Sequence, residues 1–254
     1  MAGSSSAGAR TSRSVRAARP AEGRQRLLAA AEELLATRGL EVPVRVIVAA
    51  AGQHNQSAIT YHFRSRAGLI DAIRERHETP IAQHRRHLIA RLPGLAARTT
   101  RHLVEAHIQP VTAEMLRCTP SHWARFSEML LLEQPLRFTR DAGLPVPARP
   151  DVPARPDEPA GPDEPARPDE PARPDEPARP VPSELLELMV AHLAHLPELE
   201  AADRVALAVR FLISSLARWE RDSQAGLDFV APLAPFTLTL TDLAVAMLEA
   251  PTSA

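Results

Sequence analysis

The chain has 254 residues, 44% hydrophobic and 24% charged, so it can build one large or two modest cores and is too long for a disulfide-stapled mini-protein. No apolar run approaches the roughly 18 residues needed to cross a bilayer, and with aromatics at only 4% the abundant Ala, Leu and Arg favour helices over sheets. An all-α fold without a membrane span is expected. Cys118 is the only cysteine, which excludes an intramolecular disulfide, and the N-terminal segment lacks the apolar stretch of a secretory signal. A cytoplasmic location follows as an expectation. The formal net charge of -1 conceals an asymmetry, because ten arginines stand against four glutamates through Arg66. All 30 basic residues are Arg, whose planar fork suits phosphate, although a GC-rich genome would produce the same bias.

Residues 1–19 are Ser, Ala, Gly and Arg without periodicity and read as a disordered basic arm. From Glu22 the pattern turns helical, with Leu27, Ala30, Ala31, Leu34 and Leu35 on one face and Gly39 as the stop. Pro43 can open a short second helix carrying Val44, Arg45, Ile47, Val48 and Ala51, which Gly52 ends in the left-handed conformation that only Gly adopts cheaply. Gln53, His54, Asn55 and Gln56 form the turn. A third helix spans Ser57 to Phe63, capped by Asn55 or Ser57. Three short helices in about 45 residues are the size of a helix-turn-helix module, assigned to residues 20–66.

Ser65 can cap a long fourth helix in which Leu69, Ile70, Ile73, His77, Ile81, His84 and Leu88 recur at helical spacing, with a kink expected at Pro80. Further helices are expected from about Thr99 to Leu116, interrupted by Pro110, and from Ser121 to Phe138, Ser183 to Leu196, Glu200 to Ser223 and Pro235 to Leu248. Residues 145–182 form an ARPDEP-type hexad repeat that holds fourteen of the 25 prolines. Proline at every third position excludes helix and sheet and suits a solvated polyproline II spacer, an insertion within residues 67–254. The sharper reading of this segment is a ligand for a proline-recognising domain.

The stretches RQRLLAAAEELLATRGL and VRVIVAAAGQHNQSAITYHFRSRAGLIDAI resemble the N-terminal DNA-binding domain of the TetR family of bacterial regulators, over roughly residues 22–75. Asn55 to Phe63, reading N-x-S-A-I-x-Y-H-F, further resembles a recurrent subgroup. The resemblance implies a homodimeric all-α protein whose third helix enters the DNA major groove and whose C-terminal helices bind a small molecule and a second subunit. Carried over by position, Arg45, Gln53, His54, Asn55, Gln56, Ser57 and Thr60 would face DNA, and Tyr61, His62 and Arg66 would hold phosphates. Three departures stand out: Val42 and Pro43 replace the family's frequent Thr or Ser before the second helix, Thr60 replaces a frequent Tyr, and Arg66 a usual Lys. The residue chemistry agrees, since Asn and Gln can bond bidentately to adenine in the major groove, and helix-entry N–H groups favour phosphate.

No dinucleotide, P-loop, nucleophile-elbow or H-E-x-x-H motif is present, so neither an enzyme nor a cofactor is expected. His84 with His87, and His192 with His195, are helical pairs without a third ligand, and no metal site is assigned. Cys118 beside Thr119 and Pro120 reads as an ordinary small residue, with redox sensing as the sharper alternative. His107, Met115, Trp123, Phe126, Met129, Met189 and Phe211 are candidates for the lining of a pocket for a largely apolar effector, although core packing would use the same residues. Val205, Val209, Leu212, Leu216 and Trp219, with Phe236, Leu240, Leu243 and Met247, form stripes suited to a dimer interface. These features together predict a ligand-responsive repressor on a palindromic double-stranded operator. The competing reading is an interaction or architectural protein acting through its proline-rich insertion.

Overall fold

The computed structural model describes residues 7–53, 55, 57–133 and 183–252, and every regular element among them is helical. The proline-rich repeat lies outside the described residues, as do residues 1–6 of the expected arm. None of the described helices is long and apolar enough to cross a membrane.

Helix α1 spans Ala7–Arg38, which corrects the expectation of an unstructured arm through Arg19. The Ala- and Arg-rich stretch before Leu27 has favourable helix propensity, while Pro20 within it removes one backbone hydrogen bond. Gly39 ends α1 at φ 89 and Gly52 follows α2 at φ 66, both in the left-handed region. Helix α2 spans Val44–Ala50 and α3 spans Ser57–Phe63. Pro43 sits at the N-cap of α2 in an extended conformation and provides no side-chain cap. Leu27, Leu35, Ile47, Val48, Ile59 and Phe63 are buried where α1, α2 and α3 converge.

Helix α4 spans Arg66–Ile89. The Ser65 hydroxyl accepts from the Gly68 N–H at 3.0 Å, fixing the elbow between α3 and α4. That elbow is tight: a Cβ at Gly68 would lie 2.1 Å from the Phe63 carbonyl oxygen. Helix α4 then leaves the N-terminal unit and packs along α5, Thr100–Arg117. Pro80 lies inside α4 and Pro110 inside α5. The expected interruption at Pro110 does not occur. Helix α5 is enclosed by α4, α7 and α9, and burial of most of its length outweighs the one backbone bond that proline removes.

Helix α6, Trp123–Glu133, packs on α8 and reaches back to α1. Helices α7 (Ser183–His192), α8 (Glu198–Gln224) and α9 (Leu233–Leu248) complete the bundle. Prolines 197 and 232 stand at the N-caps of α8 and α9, where a missing N–H costs nothing. A buried carboxylate joins α6 to α8: Glu220 accepts from the backbone N–H groups of Ala124 at 3.3 Å and Arg125 at 3.1 Å, and from Arg125 Nε at 3.2 Å. A negative group at a helix N-terminus meets both unpaired donors and the positive end of the helix dipole.

Candidate nucleic-acid interface

The α2–turn–α3 segment presents a polar edge whose shape is set from behind. Behind it, Ile59 and Phe63 are buried, and the Arg24 guanidinium lies 5.1 Å from the Phe63 ring centroid, within cation–π range. In front, Arg45, Asn55, Ser57, Thr60 and Arg64 are exposed, and Tyr61 is 76% exposed. An exposed tyrosine at a helix surface has little to gain from water and much to gain from a partner that is part apolar and part charged.

Three expected DNA contacts have intramolecular tasks. Gln53 is half-buried and its Nε2 donates to the Gly23 carbonyl at 3.2 Å, tying the turn to α1. Asn55 Oδ1 accepts from the Ser57 N–H at 3.0 Å, so it caps α3. Arg66 donates to the carbonyls of Leu40 and Val42, closing the loop between α1 and α2. His62 is half-buried and meets Tyr61 edge-on, with ring centroids 4.8 Å apart. His54 and Gln56 lie outside the described residues. The structure adds Arg64, which follows α3 at φ 68. A non-glycine residue in the left-handed region carries strain; Arg64 was not among the contacts expected from the sequence, and the one available signal was its basic side chain directly after Y-H-F.

Residues 27–73 match the model of the family described as bacterial regulatory proteins, tetR family. The N-terminal unit is a TetR-type helix-turn-helix domain. No curated protein matches the chain. The TetR match covers α1 from its first fully buried turn, all of α2 and α3, and the start of α4, and it supports a DNA-binding transcriptional regulator.

The TetR-type domain is joined to the C-terminal bundle through His77 of α4, which is fully buried. Its Nδ1 lies 2.6 Å from Glu114 Oε1 on α5. Its Nε2 lies 3.0 Å from Glu32 Oε2 on α1, but off the line that a hydrogen bond requires. Its ring stacks on Trp123 of α6 at a centroid distance of 4.7 Å. Arg117 grips Glu114 from the other side through Nε at 2.7 Å and Nη2 at 2.5 Å. Burial works to raise the Glu114 carboxyl, yet Arg117 and His77 outweigh it and hold the group below its ordinary value. One buried imidazole on α4 therefore meets three other helices, α1, α5 and α6, a role that its place in an apolar stripe did not disclose. Cys118 is half-buried beside Glu114, with Sγ 3.6 Å from Oε1. Burial and that carboxylate push its thiol up, away from the reactive thiolate. His77, Glu114 and Cys118 bring their donor atoms within 4.8 Å of one another, but Glu114 is already engaged by Arg117.

Of the expected pocket residues, His107, Met115, Trp123, Phe126 and Met189 are buried, while Met129 and Phe211 are half-buried. The expected dimer stripe needs correction. Val205, Val209, Leu212, Leu216 and Leu240 are buried within the chain, because α8 is covered by α6, α7 and α9. Trp219 is half-buried with its indole N–H donating to the Ala231 carbonyl at 2.8 Å. Phe236 and Met247 are half-buried as well, and Leu243 is exposed. The large apolar residues that α8 and α9 leave uncovered are Leu199, Leu207, Leu238 and Leu243.

Proposed function

We propose that the chain is a cytoplasmic, homodimeric repressor that binds a palindromic double-stranded operator and is released by a largely apolar small molecule. The observation that carries this reading is the coincidence of the TetR match with an exposed polar edge on α2 and α3. Ser57, Thr60 and Tyr61 stand on the reading helix, and Asn55 leads into it. Arg45 and Arg64 flank it and have no ion pair among the described residues, which suits phosphate contact. Within residues 67–254, the bundle supplies the effector site and the second-subunit contact. Exposed Leu207, Leu238 and Leu243 on α8 and α9 are the apolar surface that a partner subunit would cover.

Control by a ligand requires that effector and operator prefer different arrangements of one element. Helix α4 qualifies because it begins at the reading unit and is gripped through His77 by α1, α5 and α6. The test is binding to DNA from upstream of the protein's own coding sequence at stepped salt concentrations. Affinity should fall linearly on a log–log plot with a slope set by the number of phosphates neutralised. A salt-independent association, or none with the full chain, would remove the DNA-binding reading.

A further inference from the structure

The bundle contains a buried cation and a buried imidazole with nitrogens that no described residue satisfies. Arg85 of α4 is 9% exposed and His107 of α5 is 6% exposed. Arg85 Nε and both ring nitrogens of His107 are buried without a hydrogen-bond partner, and no ion pair engages Arg85 among the described residues. Buried polar groups in folded proteins are almost always paired, so an exception asks for a missing partner. The same chain shows how it treats comparable groups. Arg125, 7% exposed, is engaged by Glu220, Gln224 and His122, and the fully buried His77 has Glu114.

The two unsatisfied groups stand at the same level of the bundle. Helices α4 and α5 pack side by side as neighbours in the chain, and His77 meets Glu114 across them. Eight residues further along α4 is Arg85, and seven residues back along α5 is His107. With a rise of about 1.5 Å per residue these steps are about 12 and 10.5 Å, so an antiparallel pair brings Arg85 opposite His107. The charge interaction between them has the matching sign: burial and the Arg85 charge together lower His107 to about 3.

We propose that Arg85 and His107 form the anion-recognising end of the effector site, and that the effector is an apolar monocarboxylate. This rests on the reading of the chain as a ligand-responsive regulator. His107 is neutral at physiological pH, so the site holds one positive charge and balances one negative charge. A dianionic phosphate would leave an uncompensated charge among apolar walls. The guanidinium fork matches the two oxygens of a carboxylate, and the neutral imidazole can donate from one nitrogen. Glu78, the acidic group that acts on Arg85, is already held by Arg74 at 3.3 Å. Ile81 and Leu88 on α4, with Leu103, Val104, Ile108 and Val111 on α5, surround the pair in the sequence with apolar side chains, which suits a hydrocarbon body.

The test uses the full chain and straight-chain acids from butanoate to dodecanoate together with phenylacetate, each set beside its matching alcohol, with affinity read by calorimetry. At least one acid should bind about tenfold or more tightly than its alcohol. Arg85→Met should abolish that preference while the unliganded Tm stays equal or rises, because an unpaired buried charge is removed; Arg85→Lys should keep part of the preference. A purely structural arginine would instead lower Tm and leave the acid-to-alcohol ratio alone. Equal binding of acids and alcohols, no acid binding at all, or an unchanged ratio in Arg85→Met overturns the proposal. Operator release is scored separately. Preferred acid binding that leaves the DNA complex intact removes ligand control but keeps the site, whereas release by neutral compounds without acid preference removes the site but keeps the control.

Discussion

Arg64 shows at the scale of one residue how stability and recognition separate. Its φ of 68 costs an L-residue about 1–2 kcal/mol, which glycine would not incur. Arg64→Gly should therefore raise the urea midpoint by an amount equivalent to about 1 kcal/mol while weakening binding to all DNA sequences alike. Loss of stability, or a change in base preference, would count against a phosphate role for the side chain. His107 makes a second prediction through its proton. In the unfolded chain it protonates near 6.5, whereas burial and Arg85 hold the folded group down to about 3. The unfolded state thus binds more protons between these values, and stability falls as pH drops through that window. His107→Leu should flatten the decline of the urea midpoint between pH 6.5 and 4; an unchanged slope would mean that other groups carry it.

Elements are positioned by residues that a motif alone would assign to DNA. Arg66 closes the α1–α2 loop through the Leu40 and Val42 carbonyls, so Arg66→Ala should cost about 1.5–3 kcal/mol of folding stability, as expected for hydrogen bonds to a charged donor. Wild-type stability in denaturant titrations would show that these bonds contribute nothing. Helix α4 carries a different prediction. Pro80 inside it leaves one carbonyl without its helical donor and lowers the cost of bending. Pro80→Ala should stiffen the helix and reduce the change in operator affinity that an effector produces, with the protein still folded and dimeric. If operator affinity, effector affinity and their mutual effect all stay as in the wild type, Pro80 is not the hinge.

At the scale of the whole molecule, the bundle consumes the apolar stripe of α8 and leaves a different one outside. Leu243 is 49% exposed and Leu238 is 63% exposed on α9, so Leu243→Glu should leave the fold intact and shift sedimentation towards monomer. Affinity for a palindromic operator should fall with it, because two linked half-site contacts become one. A dimer that survives this substitution would place the subunit contact elsewhere. The position of His77 belongs to this scale too: from α4 it meets groups on α1, α5 and α6, so the N-terminal unit and the bundle are connected by packed side chains as well as by the run of α4 itself.

The stops at Gly39 and Gly52, the limits of α3 and the TetR-type domain were legible in the sequence because each is fixed locally; the start of α1 and the end of α7 were not. Gly39 and Gly52 need only their own φ, Ser65 reaches a donor three residues away, and the apolar spacing through α1 to α4 declares its buried face within a few turns. The expected third helix and the observed Ser57–Phe63 coincide for that reason. What only the tertiary structure decided depends on pairs far apart in the chain: Arg66 with Leu40 and Val42, His77 with Glu32 and Glu114, Glu220 with the start of α6. Periodicity marks a face as apolar but not which neighbour covers it, so Val205 and Leu216 looked as available to a second subunit as Leu243. A polar side chain likewise shows its chemistry in the sequence but not its partner, because the partner is chosen by how helices pack, and a one-dimensional pattern holds no record of that choice.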